Sequence, residues 1–187
     1  YFSSTATNPP EHHRVGLVFS TRYATFIEDV QAVSSRIIVA KMKAQLPFYI
    51  LSVYAPHAGL PTDLKEEFYN ALQQILDGLP RNAPVWIGGD FNARILSRPP
   101  IPTTIGPHYT PRIQPDHHSV TDEVRENREL FISFLQTTDY TPHNTRFARP
   151  EQGLVTFWLT RPTGGSQGTG VQLDYFLGKS SSSFSRR

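Results

Sequence analysis

Short runs of apolar, β-branched and aromatic residues recur along the chain, and this pattern predicts β-strands. Sixteen Pro and 12 Gly in 187 residues also favour many short strands and loops over a helical bundle. The predicted strands lie at 15–20, 26–33, 36–44, 46–54 and 84–89, with three further β-like runs near 145–148, 154–159 and 171–177.

Two segments have apolar residues at helical spacing and are predicted to be amphipathic helices. The first is capped by Asp63, ends at Gly78 and has its apolar stripe at Leu64, Phe68, Leu72, Ile75 and Leu79. The second spans 122–138. The Pro-rich segment 95–121 has no period and is predicted to be a long irregular loop. Strands with two helices between them indicate a mixed α/β layered domain.

Composition narrows the class of protein. A chain with 38% hydrophobic and 18% charged residues can form a core, and its length fits one domain. The absence of Cys excludes disulfides, thiolate zinc sites and Cys nucleophiles. No apolar run approaches the ~20 residues of a membrane span, and no export or targeting signal is visible, so we expect an intracellular protein of the nucleus or cytoplasm. The net charge is only +2, but residues 141–187 are basic, which suits either phosphate binding or a solvated surface.

Polar residues stand at the ends of two predicted strands and within a third. Asp90 and Asn92 follow the strand 84–89 and share one face, while Tyr54 and His57 follow the strand 46–54. Strand ends are where α/β folds place their sites. The alternative for Asp90 and Asn92 is a plain turn with Asn92 at positive φ. Asp174 interrupts an apolar run, so we expect it to need an Arg, His or metal partner, or to form a structural salt bridge.

Taken in order, five segments resemble the endonuclease/exonuclease/phosphatase superfamily, the DNase I-like metal-dependent phosphodiesterases. They are Val15-Gly-Leu-Val, Val53-Tyr-Ala-Pro, Gly89-Asp-Phe-Asn, Thr156-Phe-Trp and Leu173-Asp-Tyr. The resemblance covers residues 14–178, between a polar lead (1–13) and a Ser/Arg-rich tail (179–187). It implies two packed β-sheets flanked by helices, the DNase I-like four-layer sandwich, here truncated.

Two further segments resemble one group within this superfamily. Ile105-Gly-Pro-His and Glu126-Asn127 are similar to the apurinic/apyrimidinic (AP) endonuclease-like domain of LINE-type (non-LTR) retrotransposon polyproteins. This implies a DNA-nicking endonuclease with DNA as its partner and a reverse transcriptase downstream. Two alternatives are a cellular phosphodiesterase of the same fold, such as an AP endonuclease, and a catalytically dead nucleic-acid-binding remnant.

The resemblance also implies roles for individual residues. Asp90 matches the residue that orients or deprotonates the attacking water, and Asn92 the one that binds phosphate or the hydration shell of the metal. Tyr54 matches the contact to the scissile phosphate, and Asp174 the residue that orients a catalytic His. The remaining substrate-side positions are His57, Asn127, Thr156 and Trp158.

The implied cofactor is Mg²⁺ or Mn²⁺ at Asp90 and Asn92, because hard oxygen ligands suit these ions. The family's metal-binding Glu and its terminal Ser-Asp-His do not occur in the sequence. We therefore expect residues 1–187 to be a poor nuclease.

Overall fold

A six-stranded sheet organises the fold. In a computed structural model that describes residues 1–3, 14–96, 104–109, 120–150, 153–160 and 169–179, strands are numbered in chain order. The spatial order of the sheet is β3 (Ile27–Ser34), β4 (Ile37–Met42), β5 (Phe48–Tyr54), β6 (Val85–Asp90), β10 (Asp174–Lys179) and β7 (Tyr140–Pro142). The β5–β6 pair is parallel, and the other neighbouring pairs are antiparallel.

Two smaller antiparallel pairs complete the described strands. One joins β1 (Phe2–Ser3) to β2 (Gly16–Leu17), and the other joins β8 (Phe157–Thr160) to β9 (Thr169–Val171). The expected class is confirmed as a mixed α/β fold with one six-stranded sheet, smaller sheets and flanking helices.

The main core lies between the six-stranded sheet and two long helices. These are α2 (Thr62–Gly78) and α3 (Asp122–Thr138); a short helix α1 (Thr21–Ala24) and a 3-10 helix (His143–Thr145) add to them. Alternate strand residues such as Leu51, Val53 and Ile87 pack against Leu72 and Phe131 of the helices. Each such side chain stabilises the fold by about 1.5–3 kcal/mol through burial. None of the helices within the described ranges is long and apolar enough to cross a membrane.

The opposite face of the sheet, called here the outer face, carries an aromatic stack. Trp86 lies flat on Phe176 with ring centroids 5.2 Å apart, and the ring of His143 packs beside Trp86 at 5.5 Å. Gly178 makes room for this packing, since a Cβ there would lie 2.6 Å from the Trp86 ring. Because side chains alternate along a strand, residues 54, 90 and 174 also point to this face.

Several predicted elements need correction. Helix α2 begins at Thr62 after Pro61, with no side-chain cap, so Asp63 lies inside the first turn. Leu64 is 45% exposed, whereas its neighbour Lys65 is buried. The predicted strand at 145–148 is wrong, because the strand lies upstream at Tyr140–Pro142, where it pairs with β10.

Other predictions hold in part. The helix predicted at 122–138 is confirmed, and the run 171–177 divides into β9 and β10. The described parts of the predicted loop, 95–96, 104–109 and 120–121, contain turns, bends and irregular backbone. Most of the polar lead, the remainder of that loop and the tail after Lys179 lie outside the described residues.

Candidate active site

Three of the predicted site residues meet at one edge of the sheet, called here the rim. Tyr54 ends β5, Asp90 ends β6, and Asp174 begins β10. The register pairs Asp90 with Tyr54 on one side and with Asp174 on the other. Because neighbouring strands lie about 4.8 Å apart, the three side chains stand next to one another on the outer face.

Gly89 brings the strand that carries Asp90 close to β5. A Cβ at Gly89 would lie 2.0 Å from the carbonyl oxygen of Val53, and its φ of +157° is one that side-chain-bearing residues rarely adopt. Only glycine permits this approach. Gly89 therefore positions Asp90 next to β5 at the rim.

Asp90 and Asn92 form a tight turn, as the alternative to a functional site predicts. The Asn92 backbone N–H donates to Asp90 Oδ1 at 2.7 Å, and Asn92 adopts a left-handed φ of 48°. The Asn92 side-chain Nδ2 donates to the carbonyl oxygen of Ala55 at 2.8 Å. Since that carbonyl can only accept, the amide orientation is fixed and Oδ1 is the atom left for a ligand. The turn and a ligand site therefore coexist in the same residues.

Asp90 is half-buried, and its surroundings favour the protonated form. Burial raises the pKa of its carboxyl from 3.8 to about 6, the Asn92 N–H opposes that rise, and the negative charge of Asp174 adds to it. A carboxyl with a pKa near 6 is ionised at neutral pH and still basic enough to accept a proton from water.

Asp174 is exposed at the start of β10, so the expectation of a carboxylate within an apolar strand is wrong. Its backbone is held from two sides. Thr156 Oγ1 accepts hydrogen bonds from the N–H groups of Leu173 and Asp174, at 2.9 and 3.2 Å. Asn144 donates to the Asp174 carbonyl at 3.1 Å and accepts from the Phe176 N–H at 3.2 Å.

A pocket of about 340 Å³ lies beside Asp174. Thr156, Asn144 and the cation Arg149 contribute to its walls. Gln172 also lines it, is 2% exposed, and has no hydrogen-bond partner for Oε1 within the described part of the chain. Trp158 is half-buried on β8, two residues beyond Thr156. This pocket is a recess next to the rim, lined by both polar and apolar side chains.

The other side of the rim is formed by Tyr54, Arg36 and His57. Arg36 Nη1 donates to the Tyr54 carbonyl at 3.2 Å, and its guanidinium lies 5.4 Å from the centre of the Tyr54 ring. His57 is exposed, and its Nδ1 accepts a hydrogen bond from the Gly59 N–H at 3.1 Å, so Nε2 is free for a ligand. Sequence reasoning missed Arg36, because only the β4–β5 register brings it beside Tyr54.

Asn127 lies beneath the rim, on the helix side. It is 3% exposed, and its Nδ2 donates to the carbonyl oxygens of Pro56 and Asn92, each at 3.0 Å. This burial does not fit the expected phosphate contact, because both amide hydrogens are already bound to backbone carbonyls.

The oxygen atoms at the rim suit a hydrated cation. Asp90 and Asp174 offer carboxylates and Asn92 offers Oδ1, but no three His, Asp or Glu side chains converge anywhere in the described ranges. Mg²⁺ is typically bound through one or two carboxylates and keeps several waters or phosphate oxygens. The donor set therefore fits Mg²⁺ held mainly by Asp90 and Asn92.

Comparison with known proteins decides the family. A family model described as "Endonuclease/Exonuclease/phosphatase family" matches residues 2–186. The chain belongs to this family. By its description, this family comprises endonucleases, exonucleases and phosphatases. A search of curated protein sequences finds no match.

Two solved structures are similar to this chain. An AP endonuclease from Leishmania major is 16% identical with a TM-score of 0.51, covering 80% of this chain and 48% of that one. A 3′ phosphatase from Neisseria, bound to a product DNA hairpin, is 15% identical with a TM-score of 0.49, covering 83% of this chain and 59% of that one. The chain thus spans about half the length of these structures.

Proposed function

We propose that this chain is a divalent-metal-dependent phosphodiester hydrolase domain that nicks DNA. The observation that supports it most is the alignment of Tyr54, Asp90 and Asp174 across three neighbouring strands. A basic carboxylate, a phenol and an acidic neighbour within one rim are suited to attack of water on a phosphodiester.

In this proposal, Asp90 orients the attacking water and accepts its proton. The Tyr54 hydroxyl and His57 Nε2 donate hydrogen bonds to the phosphate oxygens. Mg²⁺ at Asp90 and Asn92 would supply positive charge for the phosphoryl oxygens. Asp174, held by Thr156 and Asn144, orients groups on the leaving side.

We further propose that the parent protein is a LINE-type retrotransposon polyprotein with a reverse transcriptase downstream, acting in the nucleus or cytoplasm. The resemblance of the Ile105-Gly-Pro-His segment to that group supports this proposal. In the fold, this segment packs closely on the 3-10 helix. A Cβ at Gly106 would lie 2.3 Å from the Thr145 carbonyl, and the Gly106 and His108 N–H groups donate to Thr145. The transcript on both sides of this segment tests the affiliation, and unrelated flanking sequence would refute it.

Nicking of supercoiled plasmid tests the activity. With Mg²⁺ we expect slow nicking by residues 1–187 that EDTA abolishes and Asp90→Ala reduces at least about a hundredfold. Asp29→Ala is the matched control, because Asp29 is exposed on the outermost strand β3 and should retain full activity.

Nicking that survives either EDTA or Asp90→Ala would refute the proposal. Salt-sensitive DNA binding without cleavage, equal in wild type and Asp90→Ala, would favour an inert DNA-binding remnant instead. Cleavage confined to abasic oligonucleotides would favour a cellular AP endonuclease.

A further inference from the structure

Two loops directly follow the rim residues Tyr54 and Asp90, and one buried side chain joins the two loops. The β5 loop (55–61) follows Tyr54 and contains His57, and the β6 loop (91–96) follows Asp90 and contains Asn92. Asn127 of α3 donates one hydrogen bond to the β5 loop, at Pro56, and one to the β6 loop, at Asn92. Both distances are 3.0 Å, and the side chain is almost fully buried.

The chemistry of this contact requires an amide with two hydrogens. Both partners are backbone carbonyls, which only accept, so the nitrogen of Asn127 must face them. An aspartate of the same shape would place oxygen against oxygen. Oδ1 of Asn127 is buried and has no partner within the described ranges, which lowers stability. The residue is therefore poorly suited to stabilising the core alone, and well suited to joining the loops.

Further bonds between the same loops depend on that spacing. The Ala55 N–H donates to the Asp90 carbonyl at 2.8 Å, and Asn92 Nδ2 donates to the Ala55 carbonyl at 2.8 Å. Asn92 also adopts a left-handed backbone, which a non-glycine residue keeps only when its surroundings hold it. Asn127 holds the carbonyl of this residue.

Helix α3 is itself fixed at the position of this contact. Glu126, next to Asn127, accepts hydrogen bonds from Thr62 and from the buried ammonium of Lys65, both on α2. Adjacent residues thus tie α3 to α2 and to the rim loops, which makes α3 a rigid support beneath the rim.

We propose that Asn127 is a positioning residue that sets the spacing between the β5 and β6 loops, and so between Tyr54 and Asp90. It does not touch the substrate. Its effect on catalysis rests on the proposed function, whereas its effect on loop geometry does not.

The test compares two variants with wild type. Asn127→Leu keeps the branching and the number of side-chain heavy atoms but removes both donors, and Asn127→Ala removes the side chain beyond Cβ. Hydrogen exchange measured by NMR reports the N–H groups of Ala55 and Asn92 one by one. We expect both to exchange at least about tenfold faster in the variants, while the amides of β4 change less than about threefold. Ile132→Val is the matched control: it loosens the core side of the same helix and should leave the Ala55 and Asn92 rates unchanged.

DNA nicking supplies the second readout. We expect kcat to fall at least about tenfold in Asn127→Leu with little change in KM, because positioning rather than binding is lost. Unchanged exchange at Ala55 and Asn92, or an equal acceleration across all amides, would overturn the positioning role. Faster exchange at these two amides in a protein without any nicking would retain the positioning role and refute the proposed function.

Discussion

The burial of the Asp90 carboxyl should make the stability of the fold depend on pH. Replacing Asp90 with Asn keeps the shape of the side chain and its acceptor for the Asn92 N–H. The raised pKa, from 3.8 to about 6, corresponds to roughly 3 kcal/mol at ~1.4 kcal/mol per pH unit. Because Asp90 is only half-buried, solvent screening reduces the expected effect to about 1–2 kcal/mol.

The sign follows from proton binding. Between about pH 4 and pH 6 the folded state keeps a proton on Asp90 that the unfolded state releases, so stability falls as the pH rises through this window and is level above it. The Asp90→Asn variant lacks this loss. It should match wild type near pH 4 and exceed it by about 1–2 kcal/mol near pH 7.5.

Urea unfolding followed by Trp fluorescence, at several values between about pH 4.5 and 7.5, measures the difference. The matched control is Asp29→Asn on the exposed outer strand β3, which should keep the wild-type slope. Parallel curves for Asp90→Asn and wild type over the whole range would refute the argument that burial raises the pKa of Asp90.

Two further substitutions test the packing that supports the rim. Gly89→Ala should destabilise the fold by about 3 kcal/mol or more, because its Cβ collides with the Val53 carbonyl. Gly78→Ala is the control and should be neutral or stabilising, because a Cβ there meets nothing within 4 Å. Similar melting temperatures for the two variants would contradict this expectation. Glu126→Gln leaves the buried Lys65 without its counter-charge and should cost about 3 kcal/mol, whereas Lys65→Met should cost less than about 1 kcal/mol. Equal losses in urea unfolding would contradict the second expectation.

The sequence predicts this fold well where the pattern is local. The helix at 122–138 is found as expected, because its apolar residues, from Val124 to Leu135, repeat at helical spacing over about three turns. Long-range partners explain the errors. Lys65 is buried in place of Leu64 because Glu126 reaches it from another helix. The predicted strand at 145–148 fails because Thr145 is bound to Gly106 and Pro142 instead.

The candidate site was also predictable only in part. Strand ends place Tyr54 and Asp90 at one edge, and sequence position alone suffices for that expectation. Arg36 and Asn144 reach the rim only through strand pairing and hydrogen bonds to distant backbone. The resemblance of the Glu126-Asn127 segment to a known family made Asn127 a candidate. Its burial beneath two loops depends on how α3 packs against the sheet. Contacts of this kind have no signature in a single sequence.

The position of β10 has a consequence for how the chain reaches its native state. This strand is the last of the sheet in chain order, yet it lies between β6 and β7. During synthesis the edge of β6 that faces away from β5 therefore has no partner until residues 174–179 emerge. Unpaired strand edges promote association with other chains. Pairing β10 with β6 also closes a loop of more than eighty residues, and such non-local closure slows folding. We expect this domain to complete its sheet only once residues 174–179 have left the ribosome exit tunnel, and to depend on chaperones until then.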